Sequence, residues 1–234
     1  AFTHADKGIF HLLKESLLRP GIVAKEYIAG KRKKYFNPFT FFLILAAFYV
    51  LSAGLNRTVA SDDKFISEEI SKIENPIKKQ EATVIYKRVI KSQHFFAKSS
   101  NMIAMVAVPF FAFYFWLIFY KKHYNYSEHL VANLLFISFS NLAFSLIVFP
   151  IQMLLGKVSL AFYVPVLGIF LQWIYLVIAY RGLMDFKSFW PTLKLVIVTF
   201  IGLIFWIVLT QLATAIYVYQ NGQFMDYFKR MGWG

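Results

Sequence analysis

Apolar positions in this chain come in long blocks separated by short polar breaks, and the block from Pro109 to Phe136 shows the pattern most fully. An aromatic run, PFFAFYFWLIFY, reaches Lys121-Lys122-His123, turns through Tyr124-Asn125, and resumes after Ser127-Glu128-His129 as a second apolar run. About 20 apolar residues span a bilayer core as a helix, and only a helix satisfies its own backbone groups there. The pattern therefore predicts a transmembrane hairpin. Applied along the chain it predicts five spans, at about 38–54, 101–120, 128–155, 158–180 and 189–219, with a tail over 221–234. Pro109 is the expected kink of the second, and the last is long enough to tilt or project.

Two segments carry a different period. Over residues 6–18, Ile9, Phe10, Leu13, Leu17 and Leu18 recur at helical spacing opposite Lys7, Lys14 and Glu15, which predicts an amphipathic surface helix ended by Arg19-Pro20-Gly21. A second short helix is predicted from Ile22 to Ala29, stopped by Gly30. Next come Lys31, Arg32, Lys33 and Lys34, then Asn37 as a cap and Pro38 as the first turn of the first span. The polar stretch from 55 to 100 keeps a helical period in Phe65, Ile66, Ile70 and Ile73, and again in Val84, Ile85, Val89 and Ile90. It predicts an exported loop domain of two amphipathic helices joined at Asn75-Pro76.

Composition agrees with that reading and narrows it. The chain is 59% hydrophobic and 20% aromatic with 16% charged residues, too apolar for a soluble domain of 234 residues. Its net charge of +13 lies beside the spans, which suits anionic headgroups and argues against nucleic acid. Lys31 to Lys34, Lys121, Lys122, Arg181 and Lys187 would share one side, against Lys157 alone in the short loop between spans three and four. That bias places the amino terminus inside. With no cysteine there is no thiolate chemistry and no readable redox compartment. Because the chain begins at Ala1 without a signal-like segment, a missing native beginning is expected.

Phe2-Thr3-His4-Ala5-Asp6, Arg19-Pro20-Gly21, Glu26-Tyr27, Gly30-Lys31-Arg32 and Asn37-Pro38 resemble the amino-terminal signature of a bacterial multi-pass membrane family, domain of unknown function 3667. Pro109-Phe110-Phe111-Ala112 and Tyr126-Ser127-Glu128-His129-Leu130 resemble its second signature. The resemblance implies a helical bundle in a bacterial inner membrane and no particular reaction. Members commonly begin with a zinc-ribbon of paired CxxC motifs, which these residues lack.

Candidate chemistry is sparse. His123, Glu128 and His129 form HxxxxEH, neither HExxH nor HxxEH, so zinc catalysis is not expected. There is no GxSxG, P-loop or GxGxxG, and no cofactor is expected. On a helix, His129, Asn133 and Ser140 share a narrow arc that enters the membrane from the basic side just after Glu128. Such a stripe marks a pathway or, more simply, packs between helices, with Glu128 favoured at the helix amino terminus. Gln172 with Tyr175, and Gln211 with Thr210 and Thr214, either extend a polar cavity or join helices. Lys194 is expected to snorkel. Arg19, Lys31, Arg32, Lys33, Lys34, Lys121 and Lys122 are candidate contacts to anionic lipid, or a topological stop signal.

These observations predict an all-α polytopic membrane protein with amphipathic amino-terminal helices. The function expected first is a non-enzymatic scaffold or accessory subunit that contacts membrane lipids and binds a partner membrane protein or a second copy. Second comes a transporter or lipid-handling protein built on the polar stripe.

Overall fold

The computed structural model describes residues 2–55, 70–98, 100–120, 124–155 and 163–219, and over these it is helical with no strand. Helix α1 spans Phe2–Leu18 and α2 spans Pro20–Ile28, followed by a 3-10 turn at Arg32–Lys34. The apolar α3 is Pro38–Leu55, α4 is Pro76–Lys98 and α5 is Ser100–Ile118. Then come α6, Tyr126–Ala143, a π-helical segment at Phe144–Val148, and α7, Phe149–Leu155. The chain closes with α8, Val164–Leu183, and α9, Phe189–Tyr219. Among the described residues, four stretches are long and apolar enough to cross a membrane: Arg32–Leu55, Tyr126–Leu155, Val164–Leu183 and Phe189–Tyr219. The apolar part of α5, Met102–Ile118, is shorter. The early part of the loop helix pattern, with Phe65 and Ile66, the tail over 221–234, and Lys157 lie outside the described residues.

The Asn37 cap acts as predicted, and Asn75, at the predicted helix joint, is a second cap. Asn37 accepts from the backbone of Phe39 and Thr40 at 2.9 and 3.2 Å ahead of α3, and Asn75 does the same for Ile77 and Lys78 at 3.0 and 3.2 Å ahead of α4. Pro109 sits inside α5. The π segment has a cause in Pro150, which lacks an N–H and whose ring crowds the carbonyl four residues back, at Leu146. The helix widens to relieve this, and the backbone N–H of Phe149 reaches five residues back to Phe144.

The core runs through α3, α5, α6 and α8, where Phe41, Phe42, Phe115, Phe136 and Leu176 are buried. Helix α6 packs on both α3 and α5, α9 packs along α8, and α4 rests on α3, α5 and α9. Arg88 of α4 donates to the Val218 carbonyl of α9 at 3.1 Å.

Helix α2 departs from the expected surface position. Val23 and Ala24 are fully buried, and α2 packs on α6 and α8 at the end where α8 finishes. Glycine permits this approach. A Cβ on Gly21 would stand 2.2 Å from the Ala179 carbonyl oxygen and 2.4 Å from the Leu183 nitrogen, both backbone atoms that cannot give way. A Cβ on Gly182 would stand 3.1 Å from the Gly21 Cα. The two helices thus cross backbone on backbone, the close packing small residues allow between membrane helices. Helix α1 is turned differently as well: Leu12 and Ser16 face the bundle, while Phe10, Leu17 and Leu18 of the expected apolar face point outward, with Phe10 71% exposed. That outward ridge is the part of the amino-terminal pair suited to an interface.

Substitutions at the three positions should separate in order. Gly21→Ala should cost about 3 kcal/mol, the upper end for overpacking against an unyielding wall, and lower the Tm by at least about 5 °C in detergent. Gly182→Ala should cost less. Gly54→Ala, in α3 with nothing within 4 Å, should be neutral or slightly stabilising. An equal response at all three positions would refute the crossing.

Candidate functional site

Helix α6 begins with a reciprocal capping box. The Asn125 side chain accepts from the Glu128 backbone at 3.0 Å, and the Glu128 carboxylate accepts from the Asn125 backbone at 2.7 Å. Glu128 is thereby used at the helix terminus and is not a member of the stripe. One residue further, His129 turns inward.

His129 and Asn133 are both 0% exposed, and Ser140 is buried. Asn133 donates through Nδ2 to the His129 carbonyl at 2.8 Å and to the Tyr180 hydroxyl at 2.6 Å. The His129 ring stacks on Tyr180 at 6.0 Å between centroids and meets the edge of Tyr124 at 6.4 Å. Tyr180 in turn stacks on Phe115 at 3.8 Å and takes the Phe136 ring at 5.4 Å. Among the described residues, both ring nitrogens of His129 and the Asn133 Oδ1 have no hydrogen-bond partner. A buried polar atom left unpaired is costly, so this cluster concentrates unmet polar capacity inside an aromatic wall. Ser140 stands apart, donating to the Phe136 carbonyl at 3.0 Å in its own helix.

Tyr180 is the residue that sequence reasoning missed. Close to the end of a span, beside Arg181, a tyrosine reads as an interface anchor, and nothing local signals that it turns toward α6.

The second group of candidates is the basic run, and its members divide. Arg19 pairs with Glu15 one turn earlier. Lys34 donates to the Glu26 carboxylate at 2.7 Å, Tyr35 donates to it at 2.7 Å, and Lys31 lies at 3.3 Å. Arg32 and Lys33 are exposed and make no ion pair among the described residues. Lys121 and Lys122, like His123, lie outside the described residues. Glu26 is thus a hub that folds the basic turn back onto α2, and its place in the Glu26-Tyr27 signature was the only signal for it. The hydrogen bonds from Lys34, then Tyr35, hold its carboxyl down to about 2.

The remaining polar candidates split in the same way. Tyr175 donates to the Ser16 carbonyl of α1 at 3.2 Å, a true interhelical contact. Thr210 and Thr214 bond carbonyls of their own helix, at Trp206, Ile207 and Thr210. Lys194 lies 5.9 Å from the centre of the Phe119 ring, close to a cation–π arrangement. No group of three or more His, Cys, Asp or Glu able to hold a metal occurs among the described residues.

Residues 6–50 match the family described as "Protein of unknown function (DUF3667)". No curated protein and no solved structure matches the chain. The matched segment runs from α1 through most of α3, and so contains Gly21, the Glu26 hub and the basic turn.

Two predictions follow from these geometries. Asn133→Leu removes the donor to Tyr180 and should destabilise the bundle by about 0.6–2 kcal/mol, while His129→Leu, losing no protein hydrogen bond of its side chain, should be neutral or stabilising by thermal unfolding in nanodiscs. For Glu26, a folded pKa below the unfolded value means the unfolded chain binds more protons as pH falls. Stability is then full above about pH 4.5 and declines toward pH 2. Glu26→Gln should flatten that part of the profile.

Proposed function

We propose that the chain is a non-enzymatic scaffold or accessory subunit of a bacterial inner membrane, which crosses five times with its amino terminus in the cytoplasm. The single observation that carries this reading is the closure of the bundle around His129 and Asn133, the inner part of its polar stripe. His129 and Asn133 are sealed by Tyr124, Tyr180, Phe115 and Phe136, so no solute reaches them in this conformation. A closed, aromatic-packed bundle suits a component that holds others better than one that passes a substrate.

The orientation draws on charge. Arg19, Lys25, the run Lys31 to Lys34, Arg181 and Lys187 all flank helix ends at the side where α2 crosses α8, as expected for a cytoplasmic face. With the shorter α5 counted as a span, α4 and the end of α9 lie on the opposite side. There Ile77, Glu81, Val84, Arg88 and Tyr219 line an open groove of about 390 Å³ between those two helices, with apolar and charged walls suited to a partner protein or a second copy.

Native mass spectrometry after gentle nanodisc purification tests this directly. The expected result is one companion at fixed ratio, or a dimer, lost on Val84→Asp while the bundle's Tm holds. A monomer travelling alone would overturn the reading. Lipid handling is the second reading, favoured by a separate cavity beside Ser140.

A further inference from the structure

Helix α1 turns a ridge outward that is apolar and basic at once. Phe10, Lys14, Leu17 and Leu18 are exposed and fall within about 100° of the helix circumference, opposite the buried Leu12 and Ser16. Ile22 and Lys25 carry the same pairing onto α2.

Contacts of the helix pair set its level. Helix α8 is long and apolar enough to cross a membrane, and Gly21 lies on its last turn, against Ala179 and Leu183. Further back along α8, the Tyr175 hydroxyl donates to the Ser16 carbonyl at 3.2 Å. The last turn of a span lies at the edge of the hydrocarbon, so Leu17, Leu18 and Ile22 leave the bundle where acyl chains meet headgroups. Phe189 and Trp190, exposed where α9 begins, are aromatic anchors for the same end.

Charge then selects the headgroup. The carboxylates within residues 8–40 are Glu15 and Glu26, and both are already bound: Glu15 is buried against Arg19, and Glu26 holds Lys34, Lys31 and Tyr35. Lys14, Arg32 and Lys33 are exposed and make no ion pair among the described residues. The turn that carries Arg32 and Lys33 lies alongside α1, where His11 stacks on Tyr35 with ring centroids 5.8 Å apart. A neutral bilayer would cover the apolar residues and leave these cations unanswered, and a soluble acidic partner would do the reverse. An anionic leaflet supplies both.

We propose that α1 lies half sunk in an anionic leaflet and gathers acidic phospholipid around the amino-terminal pair. Phe10, Leu17 and Leu18 enter the acyl chains, the Lys14 stem lies beside them with its ammonium at the headgroups, and Arg32 and Lys33 meet neighbouring phosphates. The basic run is thereby divided, with Lys31 and Lys34 kept for the clasp on Glu26, while Lys14, outside the run, joins the lipid contact. The proposal stands apart from the scaffold reading and needs no partner protein.

The chain has no cysteine, so Leu17→Cys carries a single bimane label. The test places the labelled full chain in phosphatidylcholine nanodiscs that hold a small fraction of lipid spin-labelled near the top of one acyl chain, either phosphatidylglycerol or phosphatidylcholine. Both should quench the bimane, phosphatidylglycerol at least about 3-fold more effectively. Combining Lys14→Gln, Arg32→Gln and Lys33→Gln should bring phosphatidylglycerol down to the phosphatidylcholine level with Tm unchanged. Phe10→Cys repeats the measurement if labelling at Leu17 unfolds the bundle. Bimane that neither lipid quenches, as under a protein seated on the ridge, would overturn the proposal. So would equal quenching by the two lipids, or a preference that survives the triple substitution.

Discussion

Gly21 meeting Gly182 is the contact on which the end of this bundle nearest the amino-terminal helices depends. With no side chain on either residue, α2 settles against the end of α8, and Val23 and Ala24 become core residues. Much else is registered by that approach. Lys25 reaches Asp185 at 3.7 Å, just past the end of α8, and Tyr175 reaches back to α1. These exposed or partly exposed contacts add little energy individually. Their role is to fix which way the amino-terminal pair lies.

From that placement the polar interior follows. Helix α8, held at its end by α2, presents Tyr180 to α6, where Asn133 donates to it and His129 stacks on it. Aromatic rings enclose the cluster, and among the described residues the His129 ring nitrogens have no hydrogen-bond partner. The structure thus separates two environments on one helix. Near its start, α6 carries sealed polar groups. Near its end, the π turn borders a largely apolar lateral cavity between Phe139, Phe144 and Tyr175.

The cations show the same division of labour. Glu15 and Glu26 bind Arg19, Lys31 and Lys34, which leaves Arg32 and Lys33 as the members of the run without an ion pair among the described residues. A run that looks uniform in sequence therefore serves both as a structural clasp and as a surface charge.

By itself the sequence determined the elements. Apolar blocks as long as a bilayer is thick have to be helices, because backbone groups in hydrocarbon must pair locally, and the cap at Asn37 acts over three residues. The arc of His129, Asn133 and Ser140 was legible for the same reason, since helical geometry alone sets it. Only the tertiary structure decided that α2 enters the bundle, that Tyr180 completes the cluster, that Glu26 gathers the basic turn, and that Gln172 and Ser140 line a cavity while His129 does not. Each of these joins residues far apart along the chain or depends on which side of a helix meets a neighbour. In a sequence so uniformly apolar, nearly every face is greasy enough to pack, so periodicity cannot choose the partner; glycine contacts and interhelical hydrogen bonds, visible only once the helices are side by side, make that choice.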